Sequence, residues 1–256
     1  MELEKYDIFA NFYDILIPEP PGLIDFYLEM AKPYQNILDA GCGTGTLALE
    51  LAKEEKHILG LDISSDMIDK ACKKAKDCGL ENIVKFDTGD IKNLNLKQKF
   101  DLIILSGGVF EFLLSIKDQV KTLMTLRSLL NNNGKLVFDV IVPPTVCPFE
   151  DRKSDVAKLP HNILGEGTHI YSWHECKFKH FHQLVYTNLF IEIYGLEKKL
   201  VDKYNFNFMT RYTTPSEMMH LLSRCGYKIE SKYGDFYKSP LKEDSEFMIY
   251  VVSPVS

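Results

Sequence analysis

The chain has 256 residues, 45% of them hydrophobic and 26% charged, the balance of a folded globular protein with room for a sizeable core. A formal net charge of -6 argues against a broad basic face and so against a nucleic-acid partner. The six cysteines form no C-x-x-C pair, no apolar run reaches membrane-spanning length, and the start MELEKYDIF lacks the basic and apolar regions of a signal peptide, so a cytoplasmic protein with reduced thiols and no membrane partner is expected.

Tyr6, Ile8, Phe9, Phe12, Tyr13 and Leu16 recur at helical spacing until Pro18, Pro20, Pro21 and Gly22 interrupt them. A second helix is predicted from about Leu23 to Ala31. Ile37-Leu38 then runs as a strand into Asp39 and the turn Gly41-Cys42-Gly43-Thr44-Gly45, and Leu47, Ala48, Leu49, Leu51 and Ala52 fit the helix that follows. That order brings a ligand close to the backbone at a helix N-terminus, where N–H groups are free and a Cβ would be in the way. Two cofactor classes use such a turn. The dinucleotide fingerprint is G-x-G-x-x-G, whereas here the third glycine comes one residue early.

His57 to Asp62 reads as a second strand ending in an acid, where a carboxylate can accept hydrogen bonds from both hydroxyls of a ribose. Ser64-Ser65-Asp66 offers an N-cap to a helix carrying Met67, Ile68 and Ala71. A third strand, Ile83 to Phe86, precedes Asp87-Thr88-Gly89-Asp90-Ile91. Phe100 to Leu105 is the predicted fourth, central strand, opening into Ser106-Gly107-Gly108-Val109-Phe110-Glu111-Phe112. Ligands of open α/β sheets sit beyond the strands' carboxyl ends at the switch point, so this loop should floor a reaction site, with Phe110 or Glu111 turned to a substrate or to the polar rim. Helical spacing from Val120 to Leu130, a bend at Asn131 to Gly134, and a fifth strand over Lys135 to Ile141 complete a doubly wound parallel pattern.

From Pro143 the alternation stops. Pro143, Pro144 and Pro148 read as a linker, and three long runs follow (His169 to Lys179, Gln183 to Tyr194, Lys199 to Arg211) in which aromatic and β-branched residues alternate with polar ones. They predict an antiparallel three-stranded lid over residues 143–210, exposed on one face. His161, His169, His174, His180 and His182 fall there at no established metal-ligand spacing, so no metal is expected and a general base is the simpler use of the set. Thr214-Pro215-Ser216-Glu217 starts a last helix, and two strands, Tyr227 to Tyr233 and Glu246 to Val252, close the chain.

Asp39 with Gly41-Cys42-Gly43-Thr44-Gly45 resembles motif I of the class I S-adenosylmethionine-dependent methyltransferases, and Asp62, Asp90 and the loop after strand four stand in the register of that family. Its L-x-x-G-G-x-L-x-F pattern appears as Leu130 to Phe138 with Asn133 in place of the first glycine, and its leading Y-D-x-x-A-x-x-Y-D segment as Tyr6 to Asp14. The resemblance implies a Rossmann-like α/β fold, a seven-stranded sheet with an antiparallel last strand. The core would take residues 1–142 and 211–256 with the leading helix as a cap. It implies S-adenosylmethionine as cofactor, held by Asp39, Gly41, Cys42, Gly43, Gly45, Asp62, Ile63, Met67, Asp90, Ile91, Ser106 and Gly107. Tyr13 near the methyl group and His174 as base are the catalytic expectations. The inserted strands most resemble small-molecule enzymes, among them aminosugar and glycine-type N-methyltransferases, which implies a small-molecule acceptor; a homodimer through the insertion is the expectation if the lid acts as an interface. The readings left open are a nicotinamide-dependent oxidoreductase and a non-catalytic S-adenosylmethionine-binding module.

Overall fold

The computed structural model describes residues 9–143, 152–153, 157–159, 169–195 and 199–255. Its elements run α1 (Tyr13–Leu16), α2 (Leu23–Ala31), β1 (Asn36–Ala40), α3 (Thr46–Lys53), β2 (His57–Asp62), α4 (Ser65–Asp77), β3 (Val84–Thr88) and β4 (Phe100–Leu105). There follow α5 (Ile116–Leu129), β5 (Leu130–Ile141), the short β6 (Arg152–Lys153) and β7 (Ala157–Leu159), then β8 (His169–Lys179), β9 (Leu184–Tyr194) and β10 (Leu200–Arg211). The chain ends with α6 (Pro215–Arg224), β11 (Tyr227–Tyr233) and β12 (Phe247–Pro254). They make two compact units, residues 19–143 with 211–256, and residues 1–18 with 144–210.

The larger unit is a seven-stranded sheet in the order β11-β12-β5-β4-β1-β2-β3, with β12 antiparallel to both its neighbours and the other pairings parallel, as expected. The sequence dictates the centre. Ile37 to Ala40 and Leu102 to Leu105 are unbroken apolar runs apart from Asp39, because strands covered on both faces have no side that wets. Side chains alternate between two cores: Leu38, Ile103 and Leu105 pack towards α5 and α6, and Ile37, Leu102 and Ile104 towards α2 and α3. Ser64, Ser115 and Thr214 cap α4, α5 and α6 by accepting from the backbone N–H three residues on. Asn133 takes φ 65°, the left-handed bend expected where it replaces a glycine. Among the described residues no helix is long and apolar enough to cross a membrane.

The smaller unit is an antiparallel sheet in the order β10-β9-β8-β6, with β7 also pairing with β8. Its three long strands lie where the alternation predicts, β8 and β9 in register from His169↔Tyr194 to Lys179↔Leu184. Two corrections apply. The sheet has five strands and not three, because β6 and β7 are two and three residues long and too short to show a period. Residues 1–18 group with the insertion and not with the core, since Phe9 packs on Phe206 (5.2 Å between ring centroids) and Phe12 on Tyr204 (5.3 Å). One face of this sheet carries Tyr171, Trp173, Phe190 and Tyr194, each half-buried, with Trp173 stacked on Phe190. Tyr6, Asp7, Ile8, Pro144, Pro148 and His161 lie outside the described residues.

Candidate active site

The strand order reverses between β1 and β4, so the loops after β1, β2, β3 and β4 all leave the same edge of the sheet around that switch point. The glycine turn is pinned from one side. Gly41 and Cys42 both donate backbone N–H to the Leu61 carbonyl (2.7 and 2.9 Å), and Gly43 donates to Asp62 Oδ2 (3.0 Å). Gly41, Gly43 and Gly45 sit at φ 93°, 54° and 80°, where an L side chain is strained. A Cβ on Gly41 would run into both methyl groups of Val109, and one on Gly45 would meet Phe86 at 2.7 Å.

Asp39 lies beneath this turn, 0% exposed, with no hydrogen-bond partner on either carboxylate oxygen among the described residues. Burial, then the charges of Glu19 and Asp62, push it up to about 7. Asp62 ends β2 and accepts from Gly43 and from Ser64 N–H (2.9 Å); burial raises it against the downward pull of those bonds. Asp90 starts a short 3-10 turn by accepting from Lys92 N–H (2.9 Å) and from the Asn93 side-chain amide (3.1 Å). Ile63 is 44% exposed, Ile91 and Ser106 are half-buried, and Met67 is 2% exposed, a packed side chain as its place on the inner face of α4 requires. Gly107 is exposed at φ 70°, and a Cβ there would meet nothing within 4 Å. The twelve residues expected around a cofactor thus lie at the ends of β1 and β2, in the loops that leave β1 to β4 on one edge of the sheet and, for Met67, in the first turn of α4.

A family model described as "Methyltransferase domain" matches residues 31–193. The chain belongs to the methyltransferase-domain family. A candidate methyltransferase of Geobacillus is 32% identical to it over 142 residues, 53% of this chain and 57% of that one, so the chain matches little more than half of that relative's length. A glycine/sarcosine N-methyltransferase of Halorhodospira halochloris is 27% identical over 237 residues, 89% of this chain and 79% of that one. The solved structure of the CcbJ methyltransferase from Streptomyces caelestis superposes with a TM-score of 0.81 at 20% identity, covering 96% of each chain. The sheet order of this methyltransferase and that superposition give it the Rossmann-like class I fold.

One buried acid of the methyltransferase escaped the sequence reading. Asp139, in the apolar run of β5 and 1% exposed, accepts from Tyr27 Oη (2.7 Å) and Gly107 N–H (3.1 Å) on Oδ1 and from Gly108 N–H (3.1 Å) on Oδ2. Burial pushes it up to about 6 against the pull of those three donors. Glu111, expected at a rim or against substrate, instead accepts from the Ile141 N–H (2.6 Å) and is pushed by burial up to about 7. A lone acid among Leu136, Val137, Phe138 and Val140 was a visible signal; its partners were not. Tyr13 and His174 belong to the smaller unit, where Tyr13 meets Phe9 edge-on (5.8 Å between ring centroids) and His174 is exposed on β8 opposite Leu189. Among the described residues no three metal-ligating side chains gather in one place.

Proposed function

We propose that this methyltransferase transfers the methyl group of S-adenosylmethionine to a small-molecule amine. The observation that carries the reading is Asp39, a buried carboxylate with two unpartnered oxygens directly under the glycine turn. A buried acid without a donor is costly, and a ligand that brings a cation to it removes the cost. S-adenosylmethionine carries an ammonium group and a sulfonium. A dinucleotide would instead place a pyrophosphate at this turn, against Asp39 and Asp62 together.

In this reading Asp39 takes the cofactor's ammonium, and Gly41, Cys42, Gly43 and Gly45 provide the close backbone approach. Asp62 takes both ribose hydroxyls with the lone pairs that Gly43 and Ser64 leave free, since a carboxylate offers about four acceptor sites. Asp90 accepts from the adenine amine, Ile63, Met67 and Ile91 provide apolar contact to the base, and Ser106 and Gly107 floor the methyl end. The bound cofactor supplies an electrophilic methyl whose S–C bond breaks as the N–C bond forms, leaving a neutral thioether. The chain's own contribution is orientation and exclusion of water. Tyr13 and His174 stay the proposed catalytic residues, a hydroxyl to orient and an imidazole to take the amine's proton. The insertion is the surface through which a homodimer would form.

The amine assignment is supported by the glycine/sarcosine N-methyltransferase of Halorhodospira halochloris, a relative that matches along most of the chain. Its test is a panel of small amines, alcohols and carboxylates supplied with S-adenosylmethionine, with S-adenosylhomocysteine measured as product. Turnover with amines at least tenfold above the other classes is expected. Turnover confined to alcohols or carboxylates would overturn the amine and keep the donor.

A further inference from the structure

The loop after β4 is fastened from behind. Gly107 and Gly108 are successive residues in left-handed conformation, φ 70° and 72°, and their N–H groups converge on the two oxygens of Asp139. Convergent backbone N–H groups make a site for an anion, and here the anion is part of the chain. Above Gly107 there is nothing within 4 Å of where a side chain would begin, so the conformation is not imposed by packing on the outer side. It is imposed from β5. Tyr27, fully buried in α2, donates the third bond to the same carboxylate, and Glu111 ties the far end of the loop to β5 through the Ile141 N–H.

We propose that Asp139 is a positioning residue that sets the backbone of Gly107 and Gly108, and through it the affinity of the cofactor edge. The proposal rests on the placement of the cofactor given under Proposed function. The chemistry needs an ionised carboxylate. It accepts on both oxygens at once, whereas a carboxylic acid or a carboxamide has one good acceptor oxygen and must turn a donor towards an N–H that is already a donor. The titratable groups around it are Tyr27 from α2 and Glu111 from the loop, with Glu19 and Asp39 acting on the Tyr27 phenol. Burial holds Asp139 near 6, so its protonation falls in a range that can be worked in.

The test compares wild type, Asp139→Asn and Tyr27→Phe. Their dissociation constants for S-adenosylhomocysteine are measured from pH 5.5 to 8, and hydrogen exchange of the peptide spanning 105–113 is followed without ligand. At pH 8, Asp139→Asn is expected to bind about tenfold more weakly than wild type. That gap should shrink to about threefold at pH 5.5, where about three-quarters of the wild-type carboxyl carries a proton and offers what asparagine offers. Taking the ratio of the two proteins cancels the titration of Asp39, common to both. Tyr27→Phe keeps the carboxylate and loses one donor, so it should weaken binding about threefold and speed exchange at Gly107 and Gly108. It remains a test if Asp139→Asn does not fold. A ratio that is the same at every pH would mean that Asp139 only fills space, and unchanged exchange in both variants would overturn the proposal. If wild type fails to bind S-adenosylhomocysteine, the donor reading falls, while the exchange measurement still judges the fastening.

Discussion

Asp62→Ala is expected to raise the dissociation constant for S-adenosylhomocysteine about a hundredfold and to raise KM for S-adenosylmethionine more than it lowers kcat. A hydrogen bond to a charged group contributes about 1.5–3 kcal/mol, and two are lost with the ribose hydroxyls. Even at the low end that is about 3 kcal/mol, and each 1.4 kcal/mol is tenfold in affinity. The ribose does not change charge as the methyl group moves, so the loss falls equally on ground state and transition state, which is what separates a KM effect from a kcat effect. The substitution also releases the N–H groups of Gly43 and Ser64, so the turn after β1 and the start of α4 loosen together. Calorimetric titration checks the affinity. An unchanged value would remove Asp62 from the ribose.

The second large effect runs in opposite directions for stability and binding. Asp39 is pushed from the ordinary 3.8 to about 7 in the folded chain, so the folded state holds its proton more tightly than the unfolded state does. Stability that comes with this proton is complete below about 4 and is lost as pH rises through about 7, above which the buried charge is a burden on the ligand-free protein. One pKa unit corresponds to about 1.4 kcal/mol, which sets a ceiling of roughly 4 kcal/mol on the burden. The change Asp39→Asn removes the charge but leaves an amide to satisfy, so about 2 kcal/mol of stabilisation is expected from it at pH 8, and a Tm several degrees above wild type. At pH 4 the two proteins should melt together. The same substitution takes the carboxylate away from the cofactor's ammonium, and S-adenosylhomocysteine should bind at least tenfold more weakly. A site kept unstable for the sake of its ligand gives this pairing. A lower Tm at pH 8, or undiminished affinity, would mean that Asp39 is not the cation's partner.

How far the sequence reached depended on whether each feature was local. The parallel core was legible because Ile37-Leu38 and Leu102 to Leu105 are apolar without alternation, and β8, β9 and β10 because their alternation is long. The helical spacing of Phe9, Phe12 and Tyr13 showed that one face is buried, but periodicity does not say against what, and the partners Phe206 and Tyr204 lie far along the chain. Among the described residues of that segment Phe9 and the single turn Tyr13–Leu16 are helical. The loops after β1, β2 and β3 stood in fixed register with the strands, so Asp39, Asp62 and Asp90 could be singled out as candidates by counting. Asp139 could not be placed that way, because Tyr27 is 112 residues from it and Gly107 is 32. Glu111 was noticed, but nothing in its neighbours points to the Ile141 N–H.

The most direct test of the central claim is calorimetric titration of the protein with S-adenosylhomocysteine and, separately, with NADH. The account predicts one-to-one binding of S-adenosylhomocysteine and no heat of binding with NADH, because the buried Asp39 favours the ammonium group of S-adenosylhomocysteine over a pyrophosphate. Binding of NADH alone would contradict it and assign the glycine turn to a nicotinamide cofactor.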